Sequence, residues 1–337
     1  MSYHPAIGSG YRVEDEYARE YLSRNEGVTL KPSSAESYDS ILTRYVAFLE
    51  EHSESVLSTE FELFRQFIES YVRKGNRRSS LESKVTAIAE MYRYIRLRTD
   101  VGMELTIDPL EFRDFDLDQY NTPPPIERKD VSREELRRLF DVVESYRDRL
   151  MLVVGIETGG RNSDIRGIRL EDASVENEVI HFQDPKGSRP YDVPISRALV
   201  QELEFWCQHH RGAYTAAKDA GYLFPSQQGG KLETNGSLNR IVTKAAEDAG
   251  IQGVIASTPL SEADKERLNT DKEYLEWNRV TMHTLRHSYI TLLKDSGVGI
   301  HYRQLVANHA DPSTTRGYTH GRNRDLEIIR QKYDPPW

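Results

Sequence analysis

Cysteine is almost absent: Cys207 is the only one in 337 residues. A lone thiol excludes an internal disulfide framework and fits a reducing compartment, the cytoplasm. Long apolar runs are missing too, since no stretch approaches the ~20 consecutive apolar residues that cross a bilayer. Met1–Tyr11 holds neither a basic leader nor an apolar segment, so no signal peptide is expected. Lysine is scarce, 12 residues against 33 arginines, and acidic residues outnumber basic ones 54 to 45 for a formal net charge of −9. That balance lacks the basic footprint usual in nucleic-acid-binding chains. Few lysines with many carboxylates is the composition of a protein solvated in concentrated salt, as in halophiles. There is no internal repeat and no long low-complexity tract. The hydrophobic fraction, 37%, is low, but 19 tyrosines and recurring apolar positions argue against disorder.

The length suits two ordinary domains, each with its own core. Residues 1–30 are polar, with an acidic helix-like run at Glu14–Tyr21, and read as a loosely attached N-terminal tail. From Ser33 apolar residues return every three or four positions: Tyr38, Ile41, Leu42, Tyr45, Phe48 and Leu49, then Phe61, Phe64, Phe67, Ile68 and Tyr71, then Leu81, Val85, Ile88, Tyr92 and Ile95. This spacing predicts an all-helical domain over 31–118. Charge is unevenly spread within it. Between Tyr71 and Arg98 only Glu82 and Glu90 oppose eight basic residues, and Arg73, Arg77, Arg78, Lys84, Arg93 and Arg96 form a stripe. Such a stripe suits phosphate contact, or is a solvated helix face.

Asn121-Thr122-Pro123-Pro124-Pro125 breaks the pattern and places a stiff Pro-rich linker at 119–129. A second domain, 130–337, begins at once, because Ser132 and Glu135 have capping-box spacing ahead of Leu136, Leu139, Phe140 and Val143. A hairpin is expected where Val179–Phe182 and Tyr191–Ile195 flank Asp184-Pro185-Lys186-Gly187, a type I turn sequence with Lys186 at its tip. Residues 253–279 are polar and acidic and look like an insertion. A helix from His283 to Lys294 stops at Gly297, and Asp311-Pro312 opens a short helix carrying Tyr318.

Taken singly, the polar residues of this second domain are unremarkable: Arg161 after a glycine turn, Lys186 at a hairpin tip, His283 and Arg286 three apart on a helix, His309 in a loop, Tyr318 as an aromatic. Cys207, His209 and His210 would not converge on a metal from one helix, and a fourth ligand is missing, so no metal site is expected. The ordered set is different. Gly159-Gly160-Arg161-Asn162-Ser163-Asp164-Ile165, a hairpin lysine, His283-Thr284-Leu285-Arg286-His287-Ser288-Tyr289, Asn308-His309 and Ser313-Thr314-Thr315-Arg316-Gly317-Tyr318 follow one another. Lys186 lies 25 positions after Arg161, His309 lies 23 after Arg286, and Tyr318 lies 9 after His309. This set resembles the tyrosine recombinase (phage integrase) family, over about 130–320 and most specifically over 281–320. Asn308 stands where the family often has glycine, and the insertion before His283 is longer than the family leads one to expect.

The resemblance implies a mostly α protein: an all-helical N-terminal core-binding (SAM-like) domain, plus a mixed α+β catalytic domain with a small antiparallel sheet. It implies a site-specific recombinase that cuts and rejoins DNA through a 3′-phosphotyrosine on Tyr318, without metal, ATP or other cofactor. Arg161 and Arg286 would clamp the phosphate, Lys186 would protonate the leaving oxygen, and His283 and His309 would handle protons or hydrogen bonds. Asp164 would steady Arg161, or pair elsewhere. Double-stranded DNA is the expected partner, engaged by a homo-tetramer on two duplexes, with accessory DNA-bending proteins left open. The last residues, 321–337, would pack on a neighbouring subunit, as family tails do. Cytoplasmic, nucleoid-associated action is expected, and with the composition a halophilic archaeon, its virus or a mobile element as source. Two alternatives share the fold: a catalytically silent DNA-binding protein, and a type IB topoisomerase that relaxes DNA.

Overall fold

The structure is a computed structural model and describes residues 10–127, 129–183, 190–214, 221–227, 230–232, 234–260, 265, 268, 270–307 and 322–337. The chain divides into two compact units, one of residues 1–126 with 258–275 and one of residues 127–257 with 276–337.

The first unit is built on four helices, α1 (Glu16–Asn25), α2 (Pro32–Glu51), α3 (Phe61–Arg73) and α4 (Arg78–Arg98), followed by short 3-10 turns at 102–104, 109–113 and 117–119. The expected apolar spacing fills its core: Leu42, Tyr45, Phe64, Ile68, Leu81, Ile88, Tyr92 and Ile95 are all buried. Phe112 and Phe115 return from the 3-10 segment to pack edge-on against Phe61 and Phe64. Residues 10–30 are not the loosely attached tail read from the sequence. Asp15 caps α1 by accepting from the Ala18 N–H at 2.8 Å, and Ala18, Tyr21 and Leu22 are buried in the same core. The buried Asp39 carboxylate accepts from the backbone N–H groups of Arg12 and Val13, both at 3.0 Å, which ties down the approach to α1.

The second unit opens with α5 (Arg133–Asp141), whose capping box is formed in both directions: the Glu135 N–H donates to Ser132 Oγ and the Ser132 N–H to the Glu135 carboxylate. The following helix α6 (Tyr146–Thr158) is buried almost all round and so shows no polar face; it ends on Gly159 in the left-handed conformation, φ 60°. Next come α7 (Asn162–Gly167) and a three-stranded antiparallel sheet in the order β1 (Ala173–Ser174), β2 (Val179–Phe182), β3 (Tyr191–Pro194). The hairpin register pairs Val179 with Pro194 and Phe182 with Tyr191; the turn bearing Lys186 lies outside the described residues. Helices α8 (Arg197–Phe205) and α9 (Asn235–Asp248) complete the middle of the unit.

The acidic stretch read as an insertion forms a two-stranded ribbon, β4 (Val254–Pro259) with β5 (Tyr274–Asn278). The N–H of Arg279 donates to Gly253 O and that of Leu260 to Glu273 O, the running order of an antiparallel pair. After it come α10 (Met282–Asp295), α11 (Ile300–Ala307) and α12 (Arg322–Lys332). In this chain residues 322–337 pack on their own unit. Leu326 and Ile329 are buried, the Tyr333 hydroxyl donates to Ile156 O at 3.0 Å, and the Trp337 indole donates to the buried Glu157 carboxylate at 2.7 Å. No helix among the described residues is long and apolar enough to cross a membrane.

Candidate active site

The glycine turn is where the site begins. Gly159 must be glycine twice over: its φ is +60°, and a Cβ there would stand 2.4 Å from the Tyr289 ring of α10. At Gly160 a Cβ would meet Ile165 at 2.7 Å and Phe182 of β2 at 3.1 Å. The backbone is thereby pressed between α10 and the sheet, and Arg161 emerges at the N-cap of α7.

Two arginines meet at this turn. Arg286 sits on α10, is 7% exposed, and donates from Nη1 to Gly159 O at 2.5 Å. Burial pushes its guanidinium pKa down, and the neighbouring Arg161 charge pushes it the same way. An anion placed between two such cations, one of them buried, would relieve both the repulsion and the desolvation. Asp164 supplies part of that relief. Its carboxylate accepts from the Arg161 N–H at 3.3 Å and lies 3.7 Å from Arg161 Nη1. Burial raises its pKa, opposed by Arg161, by the Ser163 hydroxyl and by Arg286.

His283 lies one turn before Arg286 and is exposed, with its Nε2 2.9 Å from Nε2 of His287. A hydrogen bond between them needs one ring nitrogen to donate and the other to accept, with the roles set by the tautomers. Of the six residues set out for catalysis, the described structure thus places Arg161, His283 and Arg286 around one glycine turn and α10, with Asp164 beneath. Lys186, His309 and Tyr318 lie outside the described residues.

Two residues beside these side chains drew no role from the sequence. Tyr191 was read only as a strand residue, yet it faces Arg286, Arg161 and Asp164; the two-residue alternation that buries Tyr191 and Val193 was the available signal. His287 was quoted in a motif and given no role.

The basic stripe of the helical unit is more engaged than its sequence suggests. Lys84 is buried, bonded to Ser80 and placed over the Tyr71 ring at 4.3 Å. Arg77 and Arg96 donate to the carbonyls of Pro124 and Gly102. Arg78 pairs with Glu82 and Asp118, Arg73 with Glu69 at 3.6 Å, and Arg93 with Glu90 at 3.5 Å. Arg73 and Arg93, with side chains 69% and 67% exposed, remain reachable from solvent.

Two guanidinium groups at a glycine turn, one of them buried, beside an exposed histidine, in a helical unit with a small three-stranded sheet, form an arrangement that can hold a phosphate-like anion. The model of the phage integrase family matches residues 129–324, more than half of the chain and all of this site. The chain belongs to that family, the tyrosine recombinases, which are enzymes of site-specific DNA recombination. It is similar to the tyrosine recombinase XerD of Yersinia pestis, 24% identical over 323 residues that cover 94% of each chain. Among solved structures, the XerH site-specific recombinase bound to its difH substrate superposes with a TM-score of 0.59 at 19% identity, over 96% of this chain and 91% of that one. A lambda integrase dimer bound to a core site gives 0.61 at 13%, over 94% and 96%. These likenesses agree with the mostly α fold expected from the sequence, and the relatives favour recombination over a silent binding protein or a topoisomerase.

Proposed function

We propose that the chain cuts and rejoins double-stranded DNA at a specific site through a covalent 3′-phosphotyrosine on Tyr318. The phenolic oxygen of Tyr318 attacks phosphorus, the bond from phosphorus to the 5′ oxygen breaks, and the leaving oxygen takes a proton from Lys186. His283 accepts the tyrosine proton or orients the phosphate, and His309 donates a hydrogen bond to it. The bond energy stays in the phosphotyrosine, so rejoining needs no ATP. Arg161 and Arg286 fork onto the non-bridging oxygens, where charge accumulates in the transition state. What supports this reading is the meeting of Arg286 with the Gly159–Arg161 turn: a buried cation bonded at 2.5 Å to the carbonyl two residues before the other arginine. In this reading residues 31–118 hold the duplex through Arg73, Arg93 and their neighbours, and residues 130–337 carry the chemistry. Four copies act on two duplexes, through a Holliday junction, in the cytoplasm on chromosomal or mobile-element DNA. Accessory bending proteins are compatible with this scheme. The outcome is integration and excision, or dimer resolution.

Covalent capture tests the proposal. Wild-type protein and Tyr318→Phe are mixed with fragments of the source genome in high salt, denatured, and the adducts sequenced. Adducts at one short, partly palindromic site, absent in the variant, are expected. Binding by both proteins with no adduct from either would overturn the phosphotyrosine chemistry.

A further inference from the structure

The face of the arginine pair turned towards the sheet belongs to Tyr191, the first residue of β3, and the side chain is 4% exposed. Its ring lies on Phe182 across the hairpin, centroids 5.0 Å apart and planes at 26°. Phe182 is the same ring that a Cβ at Gly160 would meet at 3.1 Å. The stack therefore fixes the phenol against the turn that carries Arg161. Its hydroxyl is buried and faces Arg286, but closes no hydrogen bond of normal geometry. Burial, then Asp164, pushes this phenol up to about 12, so at neutral pH it is an uncharged O–H able both to donate and to accept. Asp164, the anion whose charge it feels, is already engaged by Ser163 and Arg161. A buried hydroxyl that faces a donor without closing a well-formed hydrogen bond is uncommon and calls for an explanation at the site it faces.

The geometry points to Tyr191 as a positioning residue for strand cleavage: its phenol completes its hydrogen bond with Arg286 when a phosphate seats between the arginines, and so holds that guanidinium against the non-bridging oxygen. The inference rests on the phosphotyrosine reading and goes beyond it by recruiting the strand hairpin to the phosphate clamp.

The test uses the full-length protein and Tyr191→Phe, which keeps the stack on Phe182 and removes only the hydroxyl. Single-turnover adduct formation is followed on a nicked substrate, DNA affinity by fluorescence anisotropy, and folding by thermal melting. We expect cleavage to slow about tenfold, the worth of one hydrogen bond to a charged group, with affinity changed less than about twofold. The same pair is then compared on a substrate with a methylphosphonate at the scissile position, which removes the charge that Arg286 stabilises. There the deficit of Y191F should shrink to under about twofold, because the held group has less to do. A purely structural role predicts the same tenfold deficit on both substrates, and that result overturns the proposal. Should Y191F melt early, rates are read below both midpoints in a cycle with Arg286→Lys, and additive effects overturn it as well. A wild type that makes no adduct sinks the phosphotyrosine reading and this inference together; a Y191F as fast as an active wild type sinks this inference alone.

Discussion

Gly159 and Gly75 both adopt positive φ, +60° and +75°, but only Gly159 is crowded: nothing stands within 4 Å of a Cβ at Gly75, while the Tyr289 ring stands at 2.4 Å from one at Gly159. Alanine at Gly75 should cost only left-handed strain, about 1–2 kcal/mol. Alanine at Gly159 adds displacement of a fully buried aromatic ring, so a loss of about 2–5 kcal/mol is expected. Chemical denaturation of the two variants side by side checks this, and equal losses would show that Tyr289 yields freely. Arg286 poses a different question, because its neighbours are a carbonyl, a phenol and another cation. Lysine there keeps the charge but loses the rigid planar fork that can hold the Gly159 carbonyl on one edge and a phosphate oxygen on another. Arg286→Lys should therefore cleave about 10²–10³-fold more slowly, the scale of a lost transition-state donor, with DNA affinity nearly unchanged. A cleavage rate within tenfold of wild type would mean that the fork is not used.

Elements whose cores come from nearby sequence were legible: α2, α3 and α4 follow the three-and-four apolar steps, the Ser132–Glu135 box starts α5, and the strands flanking Lys186 pair as the turn sequence implied. Elements held by distant partners were not. Helix α1 has only Ala18, Tyr21 and Leu22 to bury, and its attachment depends on Asp39. The stripe arginines looked available because their partners, the carbonyls of Pro124 and Gly102 and the carboxylate of Asp118, come from outside the helix. For the terminal segment, the anchors are Ile156 and Glu157, nearly 180 positions away. Replacing Trp337 by Phe removes one donor from a buried carboxylate that Ser196 also serves, so the second unit should lose about 1–3 kcal/mol in denaturant unfolding. The start of α5 is also tied across the unit, by Arg279 bonded to both Glu135 oxygens at 2.8 and 3.0 Å. That bond, against opposing burial, lowers the Glu135 carboxyl from 4.5 to about 2. A depressed folded-state pKa means the unfolded chain takes up the proton first on acidification. The stabilisation is therefore complete above about pH 4.5 and lost as pH falls towards 2. Arg279→Gln should be less stable than wild type at neutral pH, and the gap should close between those values. A gap that stays constant down to pH 2 would mean that Glu135 does not titrate with folding.

A molecule of net charge −9 that grips DNA has to solve a problem of ion balance. Two reachable cations of the stripe already have carboxylate partners, Arg73 with Glu69 and Arg93 with Glu90, each pair one helical turn apart at the surface. Pairs of this kind are worth little, about 0.2–1 kcal/mol, so a phosphate can displace the carboxylate readily. The displaced carboxylate then needs a counterion of its own. Each contact releases a cation condensed on the DNA and lets a glutamate take one up, so net ion release falls short of the number of contacts. Ordinary binding weakens with salt at a slope of about −0.9 per phosphate neutralised. Here the slope of log affinity against log salt should be shallower than the contact count implies, which leaves useful affinity in concentrated salt. Anisotropy titrations of Tyr318→Phe on its captured site, from about 0.2 to 2 M potassium chloride, measure that slope without cleavage. Removing the competing carboxylates in Glu69→Gln and Glu90→Gln should tighten binding at low salt and steepen the slope by up to about one unit for each arginine freed. Arg73→Gln and Arg93→Gln should weaken binding with little change of slope, because contact and uptake vanish together. If the glutamine variants at Glu69 and Glu90 leave the slope where it was, these two arginines do not exchange a carboxylate for a phosphate, and the helical unit meets DNA with another face.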